Sequence, residues 1–295
     1  MSWFRETLHP HYGQTLSMDR VLHRGRTNYQ DVLVFENALF GTVLVLDGAV
    51  QVTERDNHIY HEMIAHVPAL AHGGARRALV VGGGDGGAAR ELLRHPLEHV
   101  VMVELDAEVV ELSRRFLPGV ADGAFDDPRL ELVIADGTEY VAAPGPAFDV
   151  IVIDSTDPIG PGEVLFTEDF YRACRRRLAP GGIIVAQSGA PFFQPGELDR
   201  VIARLAAVFP AAVPYMAPVP TYAGGMLALV AAGDSAEALC PPLGVLDQRF
   251  APLSGATRYY TPEVHRAAFA MAPSFRNATA AERAEAQPVP LASVG

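Results

Sequence analysis

Ala78-Leu79-Val80-Val81-Gly82-Gly83-Gly84-Asp85-Gly86-Gly87 is the stretch whose reading decides the fold. An apolar run enters a turn in which five glycines surround one aspartate, Asp85. The run reads as a buried parallel strand. The missing Cβ atoms let the following backbone turn sharply and approach a ligand closely. Residues 88–93 then resemble the opening helix.

The same unit recurs on the carboxyl side. Val100-Val101-Met102-Val103 is a second strand ending at Glu104, and helix formers follow from Ala107 to Phe116. Leu130–Ile134 leads to Asp136-Gly137, and residues 150–153 lead to Asp154. A helix over 170–178, a stop at Pro180-Gly181-Gly182, a strand over 183–186, a helix over 197–209 and a strand over 226–230 complete the pattern. Such alternation predicts an α/β fold, a mostly parallel sheet covered by helices on both faces.

Towards the amino terminus the rhythm differs. In DVLVFENALFGTVLVLDGAVQVTERD (31–56), short branched runs are broken by Glu36-Asn37, Phe40-Gly41 and Asp47-Gly48. This pattern suits an antiparallel meander whose strands need cover from the larger unit or a partner subunit. A helix is expected from Ile59 to about Leu70, bent or ended by Pro68. The expected division is 1–72 for an amino-terminal β unit, 73–276 for a Rossmann-like unit, and 277–295 for an Ala-rich, flexible tail.

Composition narrows the function classes. The 295 residues carry a formal charge of −12, which disfavours broad nucleic-acid or anionic-membrane surfaces and suits a cationic substrate. At 49% hydrophobic residues, long disorder is a poor fit. No stretch approaches the roughly 20 apolar residues of a membrane span, and the start lacks a secretion signal. Cys174 and Cys240 form no close metal-binding pair, so a reducing, cytoplasmic compartment is expected.

The polar strand ends carry the chemistry. Glu104 lies twenty residues after Gly84 and suits a ribose diol. These features fit either a nicotinamide cofactor or an adenosyl-sulfonium donor. Asp85 favours the latter, because a carboxylate repels pyrophosphate and attracts a sulfonium or an amine. Asp136-Gly137 suits the adenine amine. The bland alternative is a glycine turn with solvated helix-capping acids.

In Asp154-Ser155-Thr156-Asp157-Pro158-Ile159-Gly160-Pro161-Gly162, the strand fixes Asp154 at the ligand edge, and prolines stiffen the loop that carries Asp157. Paired carboxylates hold a cationic amine; a divalent metal is the lesser alternative, without a supporting motif. For Asp157 a turn-capping role weighs as much as function. Tyr60 and Tyr222 fit either core packing or the wall of a narrow amine channel, and Gln51 fits a turn or a ligand contact. His58 and His61 have neither metal nor triad spacing.

Taken together, WFRETL (3–8), YQDVLVFEN (29–37), LDGAVQVTERD (46–56), YHEM (60–63), VVGGGDGGAARE (80–91), DSTDPIGPGEVLF (154–166), PTYAGG (220–225) and RYYTPEVHRAAFA (258–270) resemble the spermidine synthase family of aminopropyltransferases. The resemblance runs from Trp3 to about Pro273. It implies an amino-terminal antiparallel β domain and a class I methyltransferase-like Rossmann domain, assembled as a homodimer or homotetramer. The co-substrate would be decarboxylated S-adenosylmethionine and the acceptor putrescine, with no metal or other cofactor. Gln30, Gln51, Asp85, Glu104, Asp136 and Gly137 would bind the donor. Tyr60, His61, Asp154, Asp157, Gln187 and Tyr222 would line the acceptor side, with Asp154 and Tyr60 catalytic and residues 157–166 forming a gatekeeping loop. Asn57-His58 stands where many members carry Glu-Phe, and His61 where some carry Gln.

Agmatine, cadaverine or a triamine are the alternative acceptors. The rival readings are a methyltransferase using ordinary S-adenosylmethionine, a nicotinamide dehydrogenase, and a non-catalytic nucleoside- or polyamine-binding protein.

Overall fold

The computed structural model describes residues 2–156, 160–194, 196–272 and 275. Asp157 and the tail 277–295 lie outside the described residues.

Hairpin chemistry builds the amino-terminal sheet. Strands β1 (Ser2–Arg5) and β2 (Thr15–Met18) form an antiparallel pair. Strands β3 (Arg20–Arg26), β4 (Asp31–Asn37), β5 (Gly41–Leu46) and β6 (Ala49–Thr53) make a four-stranded antiparallel sheet in sequential order. β5 and β6 are joined by Asp47-Gly48, both at positive φ (45° and 78°), the two-residue turn whose twist matches a hairpin. One face packs Phe35, Val43, Val45 and Val50 against Phe4, Leu16 and Met18. The other packs Val32, Val34, Leu44, Leu46 and Val52 against Val109, Leu117 and Val120 of the larger unit. The meander's required cover therefore comes from within the chain on both faces. Strands β1 to β3 carry no alternation strong enough to announce them in the sequence.

The seven-stranded sheet runs in the order β12-β13-β11-β10-β7-β8-β9. Its members are β7 (Arg77–Gly82), β8 (His99–Glu104), β9 (Leu130–Ile134), β10 (Phe148–Asp154), β11 (Leu178–Gln187), β12 (Ala211–Ala217) and β13 (Leu227–Gly233). The five strands from β11 to β9 pair in parallel, whereas β13 is antiparallel to β11 and β12 to β13. The sequence pattern does not announce β12, because Pro214 argues against a strand. At a sheet edge the missing N–H costs little, and Pro214 pairs with Val230 there.

Helix α1 (Asn57–His72) passes through Pro68 and ends at Gly73, whose φ is 72°. Pro68 neither ends nor visibly interrupts it, because burial of Ile64, Val67 and Leu70 holds the turn together. α1 packs on α2 (Gly87–Leu93), β10 and β11. Its Tyr60, Met63, Ile64 and Val67 belong to the same apolar cluster as Val80, Val100 and Val152. By packing, α1 goes with the large sheet, although a division at residue 72 counts it with the small one. The helices Glu168–Arg177 and Glu197–Ala206 cover the opposite face around Leu79, Ile151 and Ile184.

At the end of β7 the register places Gly82 opposite Asp154 of β10. Gly82 has φ 87°, and a Cβ there would lie 2.1 Å from the Asp154 carbonyl oxygen. Gly82→Ala therefore loses about 2 kcal/mol or more of stability through left-handed strain and displacement of β10. Gly119→Ala, in open space within Pro118–Ala121, is the control and stays within about 0.5 kcal/mol in urea unfolding.

Candidate active site

Parallel pairing brings the carboxyl ends of β10, β7, β8 and β9 side by side. Their polar termini, Asp154, the glycine turn, Glu104 and Asp136, therefore share one edge, the position at which ligands bind open α/β sheets.

Two adjacent residues of α1 reach two different carboxylates. Tyr60 donates its hydroxyl to Asp154 Oδ1 at 2.6 Å. His61 Nε2 lies 3.4 Å from Asp85 Oδ1, an oxygen that also accepts the Gly87 amide at 2.7 Å. The close approach needs glycine at 87, since a Cβ there would meet the His61 ring at 2.2 Å. Asp85 and Asp154 thus occupy one half-buried corner.

Their environments differ. Burial pushes Asp85 upward, but His61, the Gly87 amide and Arg90 outweigh it, so its carboxyl titrates below the ordinary value. Burial also pulls His61 down, and Asp85 reverses this, leaving the imidazole above its ordinary value. Asp154 is raised to about 6 by burial and by the charge of Asp85, against the opposing effects of His61 and the Tyr60 hydrogen bond. Among the described residues, Asp154 Oδ2 has no hydrogen-bond partner. Burial, then Asp154, raises the Tyr60 phenol well above its ordinary value, so it remains a donor.

On the nucleoside side, Glu104 is raised to about 7, chiefly by burial and with help from Asp106 and Asp154. Its Oε1 accepts the Asp106 amide at 2.8 Å. Gln30 Nε2 donates to Asp106 Oδ2 at 3.0 Å, and Thr27 Oγ1 donates to the same atom at 2.6 Å. Asp106 Oδ1 caps α3 (Ala107–Phe116) through the Glu108 amide. Asp136 caps Gly137–Ala142 through Thr138 and sits in a cleft of about 550 Å³ lined also by Tyr29, Leu105, Ile134, Ala135 and Val164.

On the far side, Tyr222 meets Tyr60 edge to face at 5.8 Å and donates to the Gln51 carbonyl at 2.7 Å. The Gln51 amide turns back on Ala49 O at 3.3 Å. Gln187 bridges the Ser155 carbonyl and the Gly189 amide. Asp157 lies outside the described residues. His61, expected on the acceptor side, pairs with Asp85, the residue expected beside the donor. Sequence reasoning missed Asp106, although an Asp directly before Ala107-Glu108-Val109 is a legible helix cap. It also missed Asp56, whose contact with Thr221 is distant in sequence. Among the described residues, no group of three or more His, Cys, Asp or Glu is arranged to hold a metal ion, and no helix is long and apolar enough to cross a membrane.

Residues 57–239 match the spermine/spermidine synthase domain, and residues 2–54 match the spermidine synthase tetramerisation domain. The polyamine aminopropyltransferase 1 of Pseudomonas aeruginosa is 52% identical over 273 residues, covering 92% of this chain and 95% of that protein. The polyamine aminopropyltransferase of Ruegeria sp. is 51% identical over 270 residues, covering 91% and 95%. A spermidine synthase solved with the transition-state analogue AdoDATO superposes with a TM-score of 0.88 at 38% identity, covering 96% of this chain and 95% of that one. The Thermotoga maritima spermidine synthase gives 0.85 at 36% identity, covering 96% and 94%. The chain belongs to the spermidine synthase family of polyamine aminopropyltransferases.

The raised Asp154 value makes stability depend on pH. The folded carboxyl titrates near 6 against an ordinary 3.8, so the unfolded chain releases this proton first. The contribution is present below 3.8 and is lost as pH rises through 6. Asp154→Asn therefore melts higher than the parent by several degrees at neutral pH. In thermal scans this advantage grows with pH up to about 7 and then levels off. An advantage that shrinks with rising pH contradicts the assignment.

Proposed function

We propose that the chain transfers the aminopropyl group of decarboxylated S-adenosylmethionine to putrescine, giving spermidine and 5′-methylthioadenosine. The observation that carries this reading is the half-buried Asp154, with one oxygen held by Tyr60 and the other unpartnered among the described residues. That second oxygen is available to an attacking amine.

In the proposed site, Glu104 accepts the ribose hydroxyls and Asp136 the adenine amine, with Gly137 allowing close approach. Gln30 acts through Asp106, and Gln51 lines the shared cleft. Asp85 attracts the donor's propylamine, while Tyr60, His61, Gln187 and Tyr222 shape the remaining space. Asp157 and the gatekeeping loop belong to the same proposal on sequence grounds.

The reaction is an in-line displacement. The acceptor nitrogen forms a bond to the aminopropyl carbon, and the C–S bond breaks with its electron pair leaving on sulfur. The attacking nitrogen loses one proton. For a free Asp, taking it from an alkyl ammonium of pKa about 10.4 is uphill by about 9 kcal/mol. With Asp154 near 6, the gap narrows to roughly 4 units, about 6 kcal/mol. The neighbouring sulfonium lowers the amine's value further. The proton must leave before the nitrogen attacks, because only the neutral amine carries a lone pair; the sulfonium is then still charged, and its field favours transfer to a base of this strength. Holding both cations near contact, about 3–3.5 Å between reacting atoms, is the larger part of the catalysis.

The proposal includes a homotetrameric assembly through residues 2–54, supported by the tetramerisation-domain match. It also includes a cytoplasmic location, supported by the free thiols Cys174 and Cys240.

A product-resolved assay with the decarboxylated donor and a panel of putrescine, cadaverine, agmatine and spermidine tests the reading. Putrescine is expected to give the highest kcat/KM, with methylthioadenosine released in equal amount. Asp154→Asn is expected to bind donor normally and to lose about a hundredfold or more in kcat. Methyl transfer from ordinary S-adenosylmethionine, or near-normal turnover in the variant, would exclude it.

A further inference from the structure

Tyr222 forms part of the acceptor wall in the proposed transfer reaction, and the role assigned to Asp56 rests on that reaction. The residue before Tyr222, Thr221, is held through every polar group it possesses. Its amide and hydroxyl both donate to Asp56 Oδ2, at 2.9 and 2.7 Å. Its carbonyl accepts from Gln14 Nε2 of the amino-terminal unit. Asp56 is only 4% exposed, and its other oxygen accepts the Thr53 hydroxyl at 2.5 Å.

Asp56 occupies the N-cap of α1, where an aspartate ordinarily accepts an amide of the first helical turn. It makes no such bond here. Both oxygens are instead engaged by the end of β6 and by the loop that carries Tyr222. One buried carboxylate therefore joins three segments: β6, the start of α1 and residues 219–225. Four residues further along α1, Tyr60 holds Asp154 and meets Tyr222 edge to face.

We propose that Asp56 is a positioning residue for the transfer reaction: it fixes the Tyr222 loop against Tyr60 and Asp154, and thereby sets acceptor affinity without touching either substrate. The donor's nucleoside end is anchored separately, through Glu104 on β8, Asp106 at the cap of α3 and Asp136 in the turn after β9. Loss of the Asp56 clip is therefore felt by the acceptor and spared by the donor.

The test compares Asp56→Ala, Asp56→Asn and Thr221→Val in the full chain. Asp56→Ala is expected to raise KM for putrescine about tenfold or more, with donor dissociation constant within about twofold of the parent. Asp56→Asn keeps one acceptor oxygen for Thr221 and recovers most of that loss. Thr221→Val removes the hydroxyl but keeps the amide, and gives a smaller shift of the same kind. If Asp56→Ala fails to fold, Thr221→Val carries the same comparison. Equal losses in donor affinity and acceptor KM, or no change in either, overturn the proposal.

Amide hydrogen exchange supplies a readout independent of turnover. Asp56→Ala is expected to speed exchange in 219–225 while leaving 60–72 unchanged. Equal acceleration in both segments makes Asp56 a general stabiliser and overturns the proposal. A parent chain that transfers no aminopropyl group sinks the aminopropyltransferase reading instead, and the exchange comparison then decides on Asp56 alone.

Discussion

Two carboxylates crowded into one half-buried corner set the terms for the rest of the molecule. The charge of Asp85 raises the cost of ionising Asp154, and burial raises that cost for both. The protein resolves the conflict unequally. Asp85 receives His61, the Gly87 amide and the field of Arg90, whereas Asp154, among the described residues, receives the field of His61 and one hydrogen bond from the Tyr60 phenol. One group is thereby held as an anion, and the other is left ready to take or release a proton near neutrality. Carboxylates whose environments push their titrations apart carry different chemical roles. Here the division suits a reaction that must hold a permanent cation and also relieve an amine of its proton.

The fold enforces that crowding with backbone more than with side chains. Parallel pairing of β7 and β10 sets Gly82 opposite Asp154, and the Gly83 amide donates to the Asp154 carbonyl at 2.8 Å. The carboxylate's position is therefore fixed by the sheet and the glycine turn together. α1 then delivers Tyr60 and His61 as sequence neighbours to the two acids. The helix is equally well anchored to the carboxyl-terminal part of the chain: Glu62 accepts the amides of Arg258, Tyr259 and Tyr260, which ties the RYYTPEVH segment to it.

Much of this was legible in the sequence where local and global signals agree. The apolar run 78–81 with its glycine turn, and the polar residues ending each parallel strand, fix the sheet edge and the acids Asp85, Glu104, Asp136 and Asp154. Other features were hidden for physical reasons. Strands β1 and β2 have only four residues each, and β3 has no buried residue, so their alternation is weak. Pro214 masks β12 because only its edge position excuses the missing donor. Pro68 reads as a helix breaker, yet burial on all sides of α1 overrides local propensity. The contacts of His61 with Asp85 and of Asp56 with Thr221 join residues far apart in the chain, and no local pattern encodes them. Asp157 and residues 277–295 lie outside the described residues.

The central claim is that the acidic corner is held in a costly state which a bound cation relieves. The most direct measurement is carbon-13 NMR titration of the Asp154 carboxyl, assigned through Asp154→Asn, in the free protein and with methylthioadenosine and putrescine bound. The account predicts a value near 6 in the free protein, falling by about one unit or more when the diamine is present. An ordinary carboxyl value in the free protein, or a raised value that the diamine leaves untouched, would contradict it.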